Sequence, residues 1–410
     1  MYKRQTKYSS AAVGLADLGG YWVDGTPSNQ YGIQSQCCKI HFNSECYSYM
    51  PNLYWNMRAV RRSATGGGNH VYFSGGNYMY NGENGVAPWS IQSTVLKINA
   101  STDSMSVLTN TGMVPVDKHR SFSPAANNFP IQSSKVNTSG NSTVTPTRSG
   151  MPVLTPSLPN TSYVTTNSDS PQRIFRKLNM SNETISNVPG NILNTGPSPS
   201  TVVFGHVATS SQTAGYFSGG EYLWGPGARF TATEKMTYSN DSHSRIPGAD
   251  MNREQSFAST TGNSEFGVGI GGEHADAYPS DYNYESRIQK ITYSTETFAN
   301  VTQTLNNARK WSTALTEQTK GAYVVSGSVV GSGPSNSTWY SPGNVSFVEK
   351  YTFATDSVAR LPEASYFRYS GGYPEWGGRG AAMGAGTKTD GYFAGGGGSS
   401  DPGIPTPGTR

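Results

Sequence analysis

Cysteine is nearly absent. The chain has three, Cys37, Cys38 and Cys46, all in one short stretch. That count excludes a disulfide scaffold. It leaves open a single Cys38–Cys46 or Cys37–Cys46 bridge, if the flanking segments form a hairpin, or free thiols. His41 lies among them, but Cys-Cys-x-x-His-x4-Cys is no zinc-ligand spacing, so no metal and no cofactor is expected. Charge is also scarce, at 14% of residues, with 30 basic against 26 acidic side chains and a net charge of +4. No basic block exists to neutralise a run of phosphates. The densest, Arg58, Arg61 and Arg62, reads as a solvated loop, so nucleic acid is not an expected partner. No apolar run reaches membrane-spanning length, and the first twenty residues lack the apolar core of a secretory signal. Membrane insertion is therefore not expected.

Turn and strand residues fill the gap. Glycine stands at 48, proline at 24 and tyrosine at 25, with polarity supplied by Ser, Thr and Asn. Such a composition opposes an all-helical fold. It also carries a period. An aromatic strand ending in glycine appears as LGGYW at 18–22, VYFSGG at 71–76, GYFSGG at 215–220, FGVGIGG at 266–272, AYVVSG at 322–327 and GYFAGG at 391–396. A second strand follows it, with a lysine at one fixed place: Lys39, Lys97, Lys177, Lys235, Lys290 and Lys350. Successive lysines are 58, 80, 58, 55 and 60 positions apart, so one unit needs an insertion.

Two more strands complete each unit: a polar-start strand before the aromatic one, and a short closing strand near a proline, as in HSRIPG at 243–248. In Lys350–Thr352 and its neighbours, Tyr351 and Phe353 alternate with Lys350 and Thr352, as in a strand with two different faces. A four-stranded antiparallel unit cannot bury its apolar faces alone; units stacked in a ring can. The expected fold is all-β, a β-propeller of four-stranded blades. Seven blades with one incomplete are favoured, with six as the alternative, and an unpaired edge in either case.

At these motifs the chain resembles kelch-type propellers, whose blades carry a double glycine, a loop and a spaced aromatic pattern. The wording GYF(S/A)GG followed by EK-x-T-(Y/F) also resembles kelch-like repeats of virion structural proteins in tailed phages, notably those of cyanobacteria. The tryptophan that marks kelch blades is irregular here: Trp22, Trp55, Trp89, Trp224, Trp311, Trp339 and Trp376 fall at differing places in their units.

In chain order, residues 1–400 read as one propeller. Its units are about 9–58, 59–118, 119–198, 199–251, 252–308 and 309–363, with a partial one at 364–398. The third opens with HRSFSPAANNF at 119–129 and holds the insertion, 134–170, rich in Ser, Thr, Asn and Pro. The tail 401–410 has three prolines and cannot form a lysine-bearing strand.

Catalytic signals are thin. The six histidines fall at mixed phases of the repeat, so no shared central site is expected. Glu273, Asp276 and Asp281 lack a calcium-loop register. The repeated lysines and their acidic neighbours read as cross-strand partners. No enzyme is expected. What remains are aromatics in the loops after the glycine pairs: Tyr78, Tyr80, Trp89, Tyr222, Trp224, Tyr282, Tyr284, Trp339 and Tyr340. Aromatics among Asn, Ser and Gly make good contact surfaces. The resemblance implies a structural or adhesive virion component, at the tail, collar, fibre or capsid surface, with other virion proteins or copies of itself as partners. The alternative is a carbohydrate-binding propeller that recognises host glycans from an extracellular or cell-surface position. A copper-radical oxidase, known among kelch-type propellers, is the remote third.

Overall fold

A computed structural model describes residues 11–15, 19–23, 37–41, 43–44, 46–50, 63–67, 70–74, 77–79, 89–91, 95–108, 135–137, 161–166, 174–179, 182–189, 203–204, 207–211, 213–222, 230–256, 258–263, 265–275, 282–310, 312–317, 320–325, 327–329, 343–344, 347–365, 383–386 and 391–394.

The first sheet is β1 (Ala11–Leu15), β2 (Gly19–Val23), β3 (Cys37–His41) and β4 (Cys46–Tyr49). The second is β5 (Ser63–Gly67) and β6 (His70–Ser74), an accessory pair β7 (Asn77–Met79) and β8 (Trp89–Ile91), then β9 (Val95–Asn99) and β10 (Ser104–Leu108). The third is β11 (Lys135–Asn137), β12 (Thr161–Thr166), β13 (Ile174–Asn179) and β14 (Thr184–Asn187). The fourth begins with a short β15 (Val203–Phe204), continues through β16 (Val207–Ser210) and β17 (Ala214–Ser218), and returns to β15 in β18 (Glu221–Tyr222). It then closes with β19 (Thr233–Thr237) and β20 (Ser242–Arg245). The fifth is β21 (Ser259–Gly262) and β22 (Phe266–Ile270), an accessory pair β23 (Glu273–Ala275) and β24 (Tyr282–Tyr284), then β25 (Ile288–Thr292) and β26 (Thr297–Asn300). The sixth is β27 (Thr313–Glu317) and β28 (Gly321–Val325), the pair β29 (Ser328–Val329) and β30 (Gly343–Asn344), then β31 (Phe347–Thr352) and β32 (Ser357–Ser365). Last come β33 (Met383–Gly386) and β34 (Gly391–Ala394), which pair only with each other among the described residues.

The protein is an all-β propeller built of four-stranded antiparallel sheets. Each sheet's first strand packs beside the first strand of the next, from β1 to β5, β11, β16, β21 and β27; β33 lies between β27 and β1. Apolar cores form between successive sheets, because both faces of each sheet are covered. Tyr21 and Cys37 of the first meet Val71, Phe73 and Ile98 of the second, and Val268, Ile270 and Ile288 of the fifth meet Val324, Tyr351 and Phe353 around the sixth. Tyr216 stacks on Tyr293 across the fourth and fifth, centroids 4.8 Å apart. Each such fully buried aromatic contributes about 1.5–3 kcal/mol relative to exposure.

Two expectations change. The stretch 134–170, read as an insertion, carries β11 and β12, the first two strands of the third sheet. The alternating β-branched and aromatic residues of TSYVTT suffice for a strand where no glycine pair marks it. The lysines, read as cross-strand partners of acids in their own sheet, reach into the next sheet instead. Lys39 meets Asp103 at 2.7 Å, Lys177 meets Asp241 at 2.7 Å and Lys290 meets Asp356 at 2.5 Å; Lys97 meets Glu183, and Lys235 meets Glu296. Each acid sits in the turn between the third and fourth strands, at φ of 49–58°. In each of these sheets the acid stands six residues after that sheet's own lysine. From that left-handed position its carboxylate meets the lysine of the preceding sheet instead of its own sheet's lysine.

No disulfide joins the three cysteines, Cys37 buried and Cys46 exposed, so neither bridge forms. No helix among the described residues is long and apolar enough to cross a membrane.

Candidate functional site

The two ends of the ring differ in what they carry. Strands in each sheet alternate in direction, so every connection from second to third strand emerges at one end. The turns between third and fourth strands emerge at the other. At the turn end, carboxylates tie sheet to sheet. The Asp103 carboxylate accepts from Lys39 and from the Tyr21 hydroxyl at 3.0 Å; Glu296 accepts from Lys235 and from Tyr216 at 3.2 Å; Glu183 takes Lys97 and Tyr72 in the same way. Burial first, then these carboxylates, push the phenols of Tyr21, Tyr72 and Tyr216 far above their ordinary value. This end is occupied by the fold's own staples.

The opposite end carries the accessory strands. The second-to-third connection yields β7–β8 in the second sheet, β18 in the fourth, β23–β24 in the fifth and β29–β30 in the sixth. In the fourth and fifth sheets a double-glycine step starts them. At Gly219 φ is +65°, and a Cβ there would lie 2.4 Å from the Gln255 carbonyl oxygen. Gly271 repeats this at φ +68°, with 2.6 Å to the Arg309 carbonyl. The next amide then donates to that same carbonyl: Gly220 to Gln255 at 2.9 Å, and Gly272 to Arg309 at 2.7 Å. In the fourth and fifth sheets the double glycine thus lets the chain leave its sheet while gripping the linker into the next.

Five of the nine predicted contact residues lie on these accessory strands. Tyr78 is on β7 opposite Ser90, and Trp89 is on β8 opposite Met79. Tyr222 is on β18 opposite Val203, and Tyr282 and Tyr284 are on β24 opposite Ala275 and Glu273. Tyr80, Trp224, Trp339 and Tyr340 lie outside the described residues.

The β23–β24 hairpin shows how such an element is fixed. Glu273 is buried and paired with Lys310, whose ammonium stands 5.0 Å from the centre of the Tyr284 ring. Burial, helped by the Glu273 charge, pushes the Tyr284 phenol up to about 12. Beside it, Glu285 Oε2 lies 2.9 Å from His274 Nδ1, and Arg253 and Arg287 approach the same carboxylate at 4.0 and 3.7 Å. Asp276 and Asp281, the other acids of this loop, lie outside the described residues.

One set of residues escaped the sequence reading. The residue just before the lysine, Glu234, Gln289 or Glu349, is buried on the opposite face. Gln289 holds the linker into its own sheet through the Arg253 backbone, 3.0 Å to the carbonyl and 3.2 Å from the amide, and donates to Gln255 at 3.2 Å. Glu349 holds the equivalent linker through Asn306, at 2.8 Å to its amide, and through a direct ion pair with fully buried Arg309. Burial pulls the Arg309 guanidinium down to about 9. The repeated E/Q-K in the third strand was the available signal. Among the described residues no group of three or more His, Cys, Asp and Glu side chains is placed to hold a metal.

The chain is similar in fold to YjhT. The solved structure of that β-propeller protein superimposes with a TM-score of 0.52 at 12% identity, covering 87% of this chain and 97% of that one. At such identity the likeness concerns the fold alone. No family model matches the sequence. No curated protein matches it either.

Proposed function

We propose that this chain is a non-enzymatic binding propeller of seven blades, the last only two strands thick, whose accessory-hairpin face takes a carbohydrate. The observation that carries the binding role is the asymmetry of the ends. The turn end is filled by Lys–carboxylate–Tyr staples. The other end projects strand pairs that bear Tyr78, Trp89, Tyr222, Tyr282 and Tyr284. Aromatic faces among Ser, Asn and Gly suit neutral sugar rings, which stack their apolar C–H face and hydrogen-bond at their edges. The position of β33 between β27 and β1 supports the seven-blade count. The non-enzymatic reading is supported by the use of the described ionisable groups: Glu273, Glu349 and Arg309 serve hairpin and linker, and Lys39, Lys97, Lys177, Lys235 and Lys290 serve seams.

A kelch-like identity and a place in a tailed-phage virion are supported by the repeat wording alone. In that setting the same face would meet a host glycan or a neighbouring virion protein. A glycan array probed with the purified chain tests the reading. We expect binding to a restricted set of neutral glycans, weakened at least tenfold by Trp89→Ala or Tyr222→Ala with little change in thermal midpoint. Binding that survives both substitutions, or no binding across the array, would sink the carbohydrate reading.

A further inference from the structure

The accessory hairpin of the fifth sheet differs from the other strand pairs on its face. The accessory strands β7, β18, β23 and β29 open with Asn77, Glu221, Glu273 and Ser328. Opposite these stand Ile91, Phe204, Tyr284 and Asn344. Among the described accessory pairs, only β23–β24 sets a tyrosine against a carboxylate, and residues directly opposite share one face of a hairpin. The backbone at its base is pinned. The Arg309 amide donates to the Glu285 carbonyl at 3.1 Å, and the Arg309 carbonyl accepts from the Gly272 amide at 2.7 Å. The linker into the sixth sheet therefore bonds both ends of the hairpin. The next residue of that linker is Lys310. Its ammonium pairs with Glu273, which is 2% exposed, and stands 5.0 Å from the centre of the Tyr284 ring. Tyr284 itself is half-buried. One ammonium, on a fixed backbone, thus meets both the acid and the ring.

We propose that Tyr284 is the principal sugar-stacking ring of the accessory face, and that Lys310 is the residue that positions it. This rests on the carbohydrate reading above. The ammonium is attracted to the ring face and selects one orientation of the side chain before a ligand arrives, so less side-chain freedom is lost on binding. The ligand is a neutral pyranose. Its apolar C–H face covers the exposed part of the ring. The Glu273 and Lys310 charges already cancel, so a charged sugar gains no counter-ion from this pair.

Calorimetric titration of the full protein with the tightest neutral glycan of the array tests this. Tyr284→Ala should weaken binding about tenfold. Lys310→Met should weaken it about fivefold, and Lys310→Arg should retain most of the affinity. Lys310→Met alone strands the Glu273 carboxylate, so Glu273→Gln with Lys310→Met is the second variant. It should regain the thermal midpoint but not the affinity. In a Tyr284→Ala background, Lys310→Met should cause no further loss. Full affinity in the Glu273→Gln, Lys310→Met protein would overturn the proposal, because Lys310 would then only neutralise Glu273. So would a further loss in the Tyr284→Ala background, which would mean that Lys310 acts by a route other than the ring. Unchanged binding by Tyr284→Ala protein would overturn it while Trp89→Ala and Tyr222→Ala still decide the carbohydrate reading. No binding to any glycan would end both.

Discussion

Gly219 and Gly248 both have positive φ, +65° and +86°, yet only one is crowded. A Cβ at Gly219 meets the Gln255 carbonyl at 2.4 Å, whereas nothing lies within 4 Å of one at Gly248. Gly219→Ala therefore adds a backbone clash to left-handed strain and should cost roughly 2–4 kcal/mol. Gly248→Ala should cost only about 1 kcal/mol. Urea unfolding of the two variants measures the gap; equal costs would mean that the glycine step is not a packing requirement. Arg309 and Glu349 supply a second residue-scale test. Both are fully buried, so Arg309→Met alone strands a carboxylate and should cost about 3–5 kcal/mol. Combining it with Glu349→Leu should recover most of that loss. A double variant as unstable as the single one would show that the pair is needed for more than mutual neutralisation.

At the level of elements, the third strand carries the most information. It alternates two duties. In the fifth and sixth sheets the residue before the lysine, Gln289 or Glu349, holds the linker into its own sheet; in the first five the lysine meets the turn of the next sheet. Its buried tyrosine neighbours set a pH limit on the assembly. Tyr284 titrates near 12 in the folded chain against an ordinary value of 10.0, and Tyr21, Tyr72 and Tyr216 lie higher still. The native state holds these protons more tightly than the unfolded chain. Their contribution is therefore complete below about pH 10 and is lost as pH rises from 10 towards 12 and beyond. Urea midpoints should hold steady up to about pH 10 and fall above it, with phenolate absorbance rising in step with unfolding. Phenolate appearing near its ordinary pH with no loss of structure would contradict this burial.

For the whole molecule, the sequence determined the repeat, the all-β class and the four-stranded unit. Strand alternation and glycine-ended aromatic runs are local signals, and six lysines in phase are hard to misread. Five of the nine candidate residues, read from the sequence as loop aromatics, lie on short accessory strands after the second strand, a pairing that the glycine pairs alone did not reveal. The partner of each lysine was decided only by tertiary structure. Spacing put an acid six residues away in the same sheet, but the left-handed turn turns each such acid into the preceding seam, and which carboxylate arrives depends on stacking. The third sheet was misjudged similarly. TSYVTT has strand propensity but no glycine mark, so only packing against β13 identified its place. Arg309 could not be foreseen as a buried charge, because nothing near it in sequence is its counter-ion; Glu349 reaches it from 40 residues away once the sheet has folded.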